Sequence, residues 1–281
     1  MPRLPDWLIY LLVLGGLLWA LGQVDERADA PPAPPPELEA PPAAIEGPLL
    51  PGPSQFDPEV MVEVGPVASG VGTAFAIDAS GWWLTARHVV DACDRVGLVV
   101  SRGRAVEAME VRIARFADLA LIKTDRAPDP LELDLTEDDF HIGQTAFHVG
   151  YPQGRPGEAA TRLIGRETLV ARGRYELQEP VLAWAELGRT KGVIGTLAGM
   201  SGGPVFDTQG RVVGVTIAES ARRGRIYTAA PASVVQLLKL NSVEPTGAAA
   251  PSLTLTNYGL EADKLRRSLS VAPVVCVADH K

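Results

Sequence analysis

Cysteine, histidine and aromatic side chains are scarce in this chain: two, four and 6% respectively among 281 residues. Cys93 and Cys276 form no C-x-x-C pair, and His, Cys, Asp and Glu nowhere gather at metal-ligand spacing, so no metal site and no cofactor is expected. Long blocks of Lys or Arg are missing too, and the net charge is −8. Nucleic acid, which calls for a basic face, is therefore an unsuited partner. No repeat of solenoid length is visible. What remains is the composition of a globular chain with room for one large or two ordinary domains, and 24 prolines crowded towards the N-terminus.

The first uncharged run is Trp7 to Gly22, WLIYLLVLGGLLWALG. As a helix it spans about 24 Å, and with its flanks (residues 7–24 as the anchor) it approaches the hydrocarbon thickness of a bilayer. Trp7, Tyr10 and Trp19 stand towards its ends, Arg3 precedes it, and Asp25, Glu26 and Asp29 follow. The positive-inside rule then leaves residues 1–6 in the cytoplasm and sends the body across, tethered to the membrane. A signal peptide cut after Ala20-Leu21-Gly22 is the alternative, and it too exports the body, to the periplasm or beyond. Residues 25–54 include the stretch PPAPPPELEAPPAAIEGPLLPGPS, which reads as an extended polyproline spacer able to reach about 70 Å. Export also makes one disulfide feasible, with two separate buried thiols as the other reading.

Beyond residue 55 the pattern changes. Short runs such as GVGTAFAID, WWLTA, VGLVV, LALIKT, TAFHVG and RVVGVTIA, split by Gly, Pro and Asp, predict an all-β sandwich or barrel. The one clear helical pattern is Pro231 to Leu240, with proline in the first turn.

Three polar residues sit in telling settings. His88 follows a predicted strand in Thr85-Ala86-Arg87-His88, Asp118 opens the apolar run Leu119-Ala120-Leu121-Ile122, and Ser201 lies in Gly199-Met200-Ser201-Gly202-Gly203-Pro204. A serine needs a base and donors for the oxyanion it creates, and flanking glycines let the backbone turn towards one spot. Singly, each residue also reads as a turn, cap or structural residue; together, in the order His, Asp, Ser, they do not. With Gly72-Thr73-Ala74-Phe75, Gly150-Tyr151-Pro152-Gln153-Gly154 and Arg211-Val212-Val213-Gly214-Val215, the sequence resembles the trypsin-like serine proteases from about Gly70 to Leu240, above all the compact bacterial HtrA-like group.

That resemblance implies two six-stranded antiparallel barrels with a C-terminal helix, spanning residues 55–242. It implies Ser201 as nucleophile, His88 as base, Asp118 as its orienter, and the amides of Gly199 and Ser201 as oxyanion hole. By alignment, Gly195 occupies the floor of the primary pocket, and Thr216, Ile217 and Ala218 the strand along which a peptide substrate pairs. With no Asp at the floor, a small or medium aliphatic P1 residue is expected. Met200 replaces the family's usual Asp or Asn, so activation by a newly released N-terminus is not indicated, and no PDZ-sized domain follows. The tail, residues 243–281, ends in an apolar run expected to pack on the domain, where a Cys93–Cys276 bridge would tie it beside the N-terminal barrel. His141, His148 and His280 read as structural or surface residues. The functional expectation is an exported serine endopeptidase acting on envelope proteins; the alternative is a catalytically silent binding module or assembly factor.

Overall fold

A computed structural model describes residues 47–278. The expected membrane segment, most of the proline-rich stretch and His280 lie outside the described residues. Within them, no helix is long and apolar enough to cross a membrane, and no group of three or more His, Cys, Asp or Glu side chains is placed to hold a metal.

Two seven-stranded sheets make up the fold. The first contains β2 (Gly70–Asp78), β3 (Trp82–Thr85), β4 (Arg95–Ser101), β5 (Arg104–Glu107), β6 (Glu110–Ile113), β7 (Ala120–Lys123) and β14 (Val271–Val277), in the order β5-β4-β14-β2-β3-β7-β6. The second contains β1 (Glu59–Val64), β8 (Thr145–Gly150), β9 (Gly157–Gly173), β10 (Leu177–Arg189), β11 (Pro204–Phe206), β12 (Val212–Ser220) and β13 (Arg225–Ala229). Helix α1 (Arg87–Val90) is a single turn after β3, α2 (Pro231–Leu240) follows β13, and α3 (Tyr258–Arg267) precedes β14.

This corrects the expectation of six antiparallel strands per barrel in three ways. In the second sheet, β8 pairs with both β11 and β9, so six strands return on themselves and β1 is a seventh, added in parallel to the far half of β9. In the first, β5 and β6 are separated only by Ala108 and Met109, whose amides donate to Val96 O on β4 and Lys123 O on β7. One bent strand thus serves both edges. The third change is the tail: it does not merely lie on the domain but enters the first sheet as β14, between β2 and β4. The helix expected after the barrels, α2, is present, and α1 and α3 are additional.

Why several strands read as unbroken apolar runs is now plain. Along β2, Ala74 and Ala76 face one buried cluster, with Trp83, Ile122 and Val274. Phe75 and Ile77 face the opposite way into a larger cluster shared with Val181, Val215 and Tyr227 of the second sheet. Both faces are covered, so the two-residue alternation of side chains shows no polar side. Each fully buried leucine in that shared cluster, such as Leu84 or Leu121, contributes about 2 kcal/mol of transfer free energy. Asp118 and Glu179 are buried at this same junction of the sheets.

A disulfide joins Cys93, just past α1, to Cys276 on β14, with a Cα–Cα distance of 5.5 Å and a sequence separation of 183. The spacer's end is likewise tied down: Gly47 N donates to Ile142 O, Leu50 N to Phe140 O, and Leu50 is buried.

Candidate active site

β3 ends at Thr85, and the chain turns at Ala86 into the single turn of α1, so His88 emerges just past the end of an interior strand of the first sheet. Asp118 comes from the loop before β7, between the fully buried Ala117 and Leu119. Its Oδ2 lies 2.6 Å from His88 Nδ1, and its Oδ1 accepts the backbone amide of His88 at 2.9 Å. One carboxylate therefore fixes both the ring and the main chain of the histidine. Burial disfavours the imidazolium, but the Asp118 carboxylate outweighs it and His88 titrates above its ordinary value; Arg174 opposes this weakly. Burial would raise Asp118, yet the charge of His88 and the hydrogen bonds from His88 and Tyr175 hold it below the usual carboxylate range.

Two residues that the sequence did not single out complete this half. Tyr175, in the β9–β10 turn, donates its hydroxyl to Asp118 Oδ1 at 3.1 Å. The Arg87 guanidinium stacks 3.8 Å from the Tyr175 ring centre, and Arg174 lies 5.7 Å from it. Glu179 accepts the backbone amide of Asp118 at 2.8 Å. Nothing local marks either residue, because both act across the junction of the two sheets.

Ser201 is presented by a loop held almost wholly through its main chain. Gly199 and Gly202 have φ of 98° and 86°, a region that side-chain-bearing residues rarely adopt. A side chain on Gly202 would also run into Thr73 O, Thr85 Oγ1 and Ala86 N, so the serine loop abuts the start of α1. Thr73 N donates to Ser201 O, Thr73 Oγ1 to Gly199 O, and Gly202 N to Thr216 O. The Gly150–Gly154 turn adds a clamp: Gln153 N donates to Ala198 O at 2.6 Å, and Gln153 Nε2 to Ile194 O and Thr196 O. Since the peptide plane is rigid, holding Ala198 O at Gln153 turns the Gly199 N–H the other way. Among the described residues, neither the Gly199 nor the Ser201 amide donates to a protein acceptor. The same holds for His88 Nε2 and Ser201 Oγ, which have no protein hydrogen-bond partner there and none to each other; such bonds often tighten only with substrate bound.

Beside Ser201 is a small cavity of about 30 Å³, lined by Leu197, Met200, Thr216, Ala218, Glu219 and Ile226. A larger cleft of about 330 Å³ runs past His88, Asp118, Arg174, Ile217 and Ala218 to Val64. Thr216, Ile217 and Ala218 thus line the two cavities. Gly195 does not: it is exposed and its carbonyl accepts from Arg189. Glu219 is the charged residue of the small cavity, with Oε1 taken up by Leu197 N and Thr196 Oγ1. Sequence alignment missed it because β12 runs on past the expected substrate strand. Met200 is buried against Leu197 and Ile226. His148 is fully buried between Thr216 and Thr161, and burial pushes it down to about 3, so it is a neutral structural residue; His141 bonds Gly47 O.

The family model of the trypsin-like peptidase domain matches residues 72–215. The chain is 29% identical over 147 residues to a probable periplasmic serine endoprotease DegP-like of Chlamydia trachomatis, covering 52% of this chain and 28% of that protein. It is 28% identical over 197 residues to protease Do-like 5, chloroplastic, of Arabidopsis thaliana, covering 64% and 57%. The chain therefore matches less than two thirds of either relative's length. Among solved structures, the Rv3671c protease from M. tuberculosis in its active form aligns with a TM-score of 0.50 at 18% identity, over 63% of this chain and 82% of that one, a likeness of fold. On the family match, together with the two-sheet fold, this chain belongs to the trypsin-like peptidase domain family, with DegP-like and Do-like serine proteases among its relatives.

Proposed function

We propose that this chain is a serine endopeptidase in which Ser201 attacks the scissile carbonyl, His88 Nε2 takes the Ser201 proton and returns it to the leaving amine, and Asp118 holds His88 in the productive tautomer. The observation that carries this reading is the double grip of Asp118 on the ring and backbone of His88, with the Ser201 loop packed against the same turn. A base whose Nδ1–H is fixed by a carboxylate leaves Nε2 as the acceptor for the serine proton, and the imidazolium so formed is stabilised by that carboxylate. The free amides of Gly199 and Ser201 are the donors for the oxyanion, each worth about 3 kcal/mol of transition-state stabilisation.

Substrate extends along Thr216, Ile217 and Ala218. The cavity of about 30 Å³ beside Ser201 is too small for a long side chain and suits a small aliphatic P1 residue; the Glu219 carboxylate on its wall is engaged by the loop through Oε1, while Oε2 has no protein partner among the described residues. We place the domain outside the cytoplasm, tethered by residues 7–24 and acting on envelope proteins. The Cys93–Cys276 bridge supports an oxidising compartment.

The test is a fluorophosphonate probe together with cleavage of casein and a peptide library, on wild type and Ser201→Ala. Labelling and cleavage that are both lost in the variant are expected. A folded wild type that neither labels nor cleaves would instead make the protein a silent binding module.

A further inference from the structure

Glu179 is a buried acid for which this mechanism has no use. It lies on β10 at 1% exposure, between Leu177 and Val181, which point into the apolar cluster shared by the two sheets. Its Oε1 accepts the amide of Asp118 at 2.8 Å, and its Oε2 is buried with no partner. An ionised carboxylate accepting one hydrogen bond and otherwise surrounded by apolar groups is costly.

Its electrostatic surroundings offer no relief. Across β9 it faces Leu169, and beyond that Val60 on β1, whose Glu59 and Glu63 are exposed. Glu167, two residues along β9, is neutralised by Arg225 of β13. From the first sheet comes Asp118, which repels a second negative charge, with His88 bound to its far side. The two guanidiniums of this region, Arg87 and Arg174, lie against the Tyr175 ring and make no hydrogen bond to Glu179. Burial first, and the Asp118 charge second, push Glu179 up to about 8.

We infer that Glu179 is a positioning residue, a neutral carboxylic acid on the second sheet whose carbonyl oxygen holds the main chain of Asp118 and thereby the His88–Asp118 pair. The inference rests on the protease reading above. It adds that the pair is anchored from both sheets: Tyr175 holds the Asp118 carboxylate, and Glu179 holds its amide. Losing the Glu179 proton places a charge against Asp118, so turnover falls as pH rises past that ionisation.

The experiment measures kcat, KM and phosphonate labelling against pH for wild type, Glu179→Gln and Glu179→Leu. Glutamine keeps the accepting carbonyl and cannot ionise. It should retain kcat within about three-fold near neutral pH and remove the alkaline decline above about pH 8. Leucine lacks the acceptor and should lower kcat by roughly ten-fold with KM nearly unchanged, the scale expected when a group orienting a reacting side chain is lost. A folded leucine variant with wild-type kcat, or a glutamine variant that keeps the alkaline decline, overturns the proposal while labelled wild type leaves the protease reading standing. Should the leucine variant not fold, the glutamine profile decides. A readout independent of activity is ¹³C NMR of labelled glutamate carboxyls. One carboxyl titrating near pH 8 and absent from Glu179→Gln supports the proposal, and none titrating above about pH 6.5 overturns it.

Discussion

The two halves of the site are built from different materials. His88 and Asp118, on the first sheet, are held largely through side-chain groups: the Asp118 carboxylate, the Tyr175 hydroxyl and the Glu179 carboxyl. Ser201, on the second, is held mainly by peptide groups, Ala198 O at Gln153 N, Ser201 O at Thr73 N, Gly202 N at Thr216 O and Gly203 N at Met200 O, with the side chains of Thr73, Gln153 and Glu219 gripping main-chain atoms of the flanking loop. The difference teaches where each half is vulnerable. A side-chain lattice titrates and loses function by single-atom changes. A main-chain lattice ignores most substitutions and fails where an added Cβ has nowhere to go.

Three substitutions probe that contrast. Asp118→Asn keeps the shape but can leave His88 in the wrong tautomer, and should lower kcat by about 10⁴-fold with the fold intact by circular dichroism. A loss of less than ten-fold would show that the side-chain half is not what orients the base. Gly202→Ala strikes the main-chain half, where a positive φ combines with the main-chain oxygen of Thr73 in the path of a side chain. Destabilisation of about 2–4 kcal/mol in urea is expected, along with loss of phosphonate labelling. An unchanged midpoint would mean that the loop has slack. The smallest effect belongs to Tyr175→Phe, which removes one of the donors to Asp118 and should lower kcat/KM by about three- to ten-fold. The sign of its pH effect is fixed as well. With one donor fewer, Asp118 is more basic and His88 keeps its proton to higher pH, so the acidic limb of the rate profile moves upward. A limb that moves downward would break the side-chain account.

The same contrast explains what was legible in the sequence. Histidine, aspartate and glycine-flanked serine each carry a local setting, and the strands of β2, β3, β7 and β12 show as apolar runs between turn residues, so the family and the position of Ser201 could be read directly. Tyr175 and Glu179 could not. They serve a residue more than fifty positions upstream, and neither a tyrosine after Arg174 nor a glutamate in QEPV is a motif. Counting back from the serine points to Gly195, but in the Ile194–Ala198 loop, which is pinned to Gln153, it is Leu197 and Ala198 that line the cavity beside Ser201, while Gly195 is exposed. The apolar tail was legible as something buried, but an edge, a cover and an inserted strand share one composition. Only long-range pairing distinguishes them, and the two cysteines were the single sequence clue to where the tail goes.

That inserted strand has a consequence for how the molecule is made. β2 and β4 do not pair with each other; each is bonded to β14, whose residues Val274 to Cys276 bridge Gly70–Gly72 on one side and Val96–Leu98 on the other. Nearly the whole domain is therefore synthesised before the sheet that carries His88 can close, and loop-closure entropy over that length makes the step slow. A chain emerging from a ribosome holds its His88 and Ser201 segments long before it holds a finished first sheet, so the sheet that carries His88 is completed only when β14 is in place.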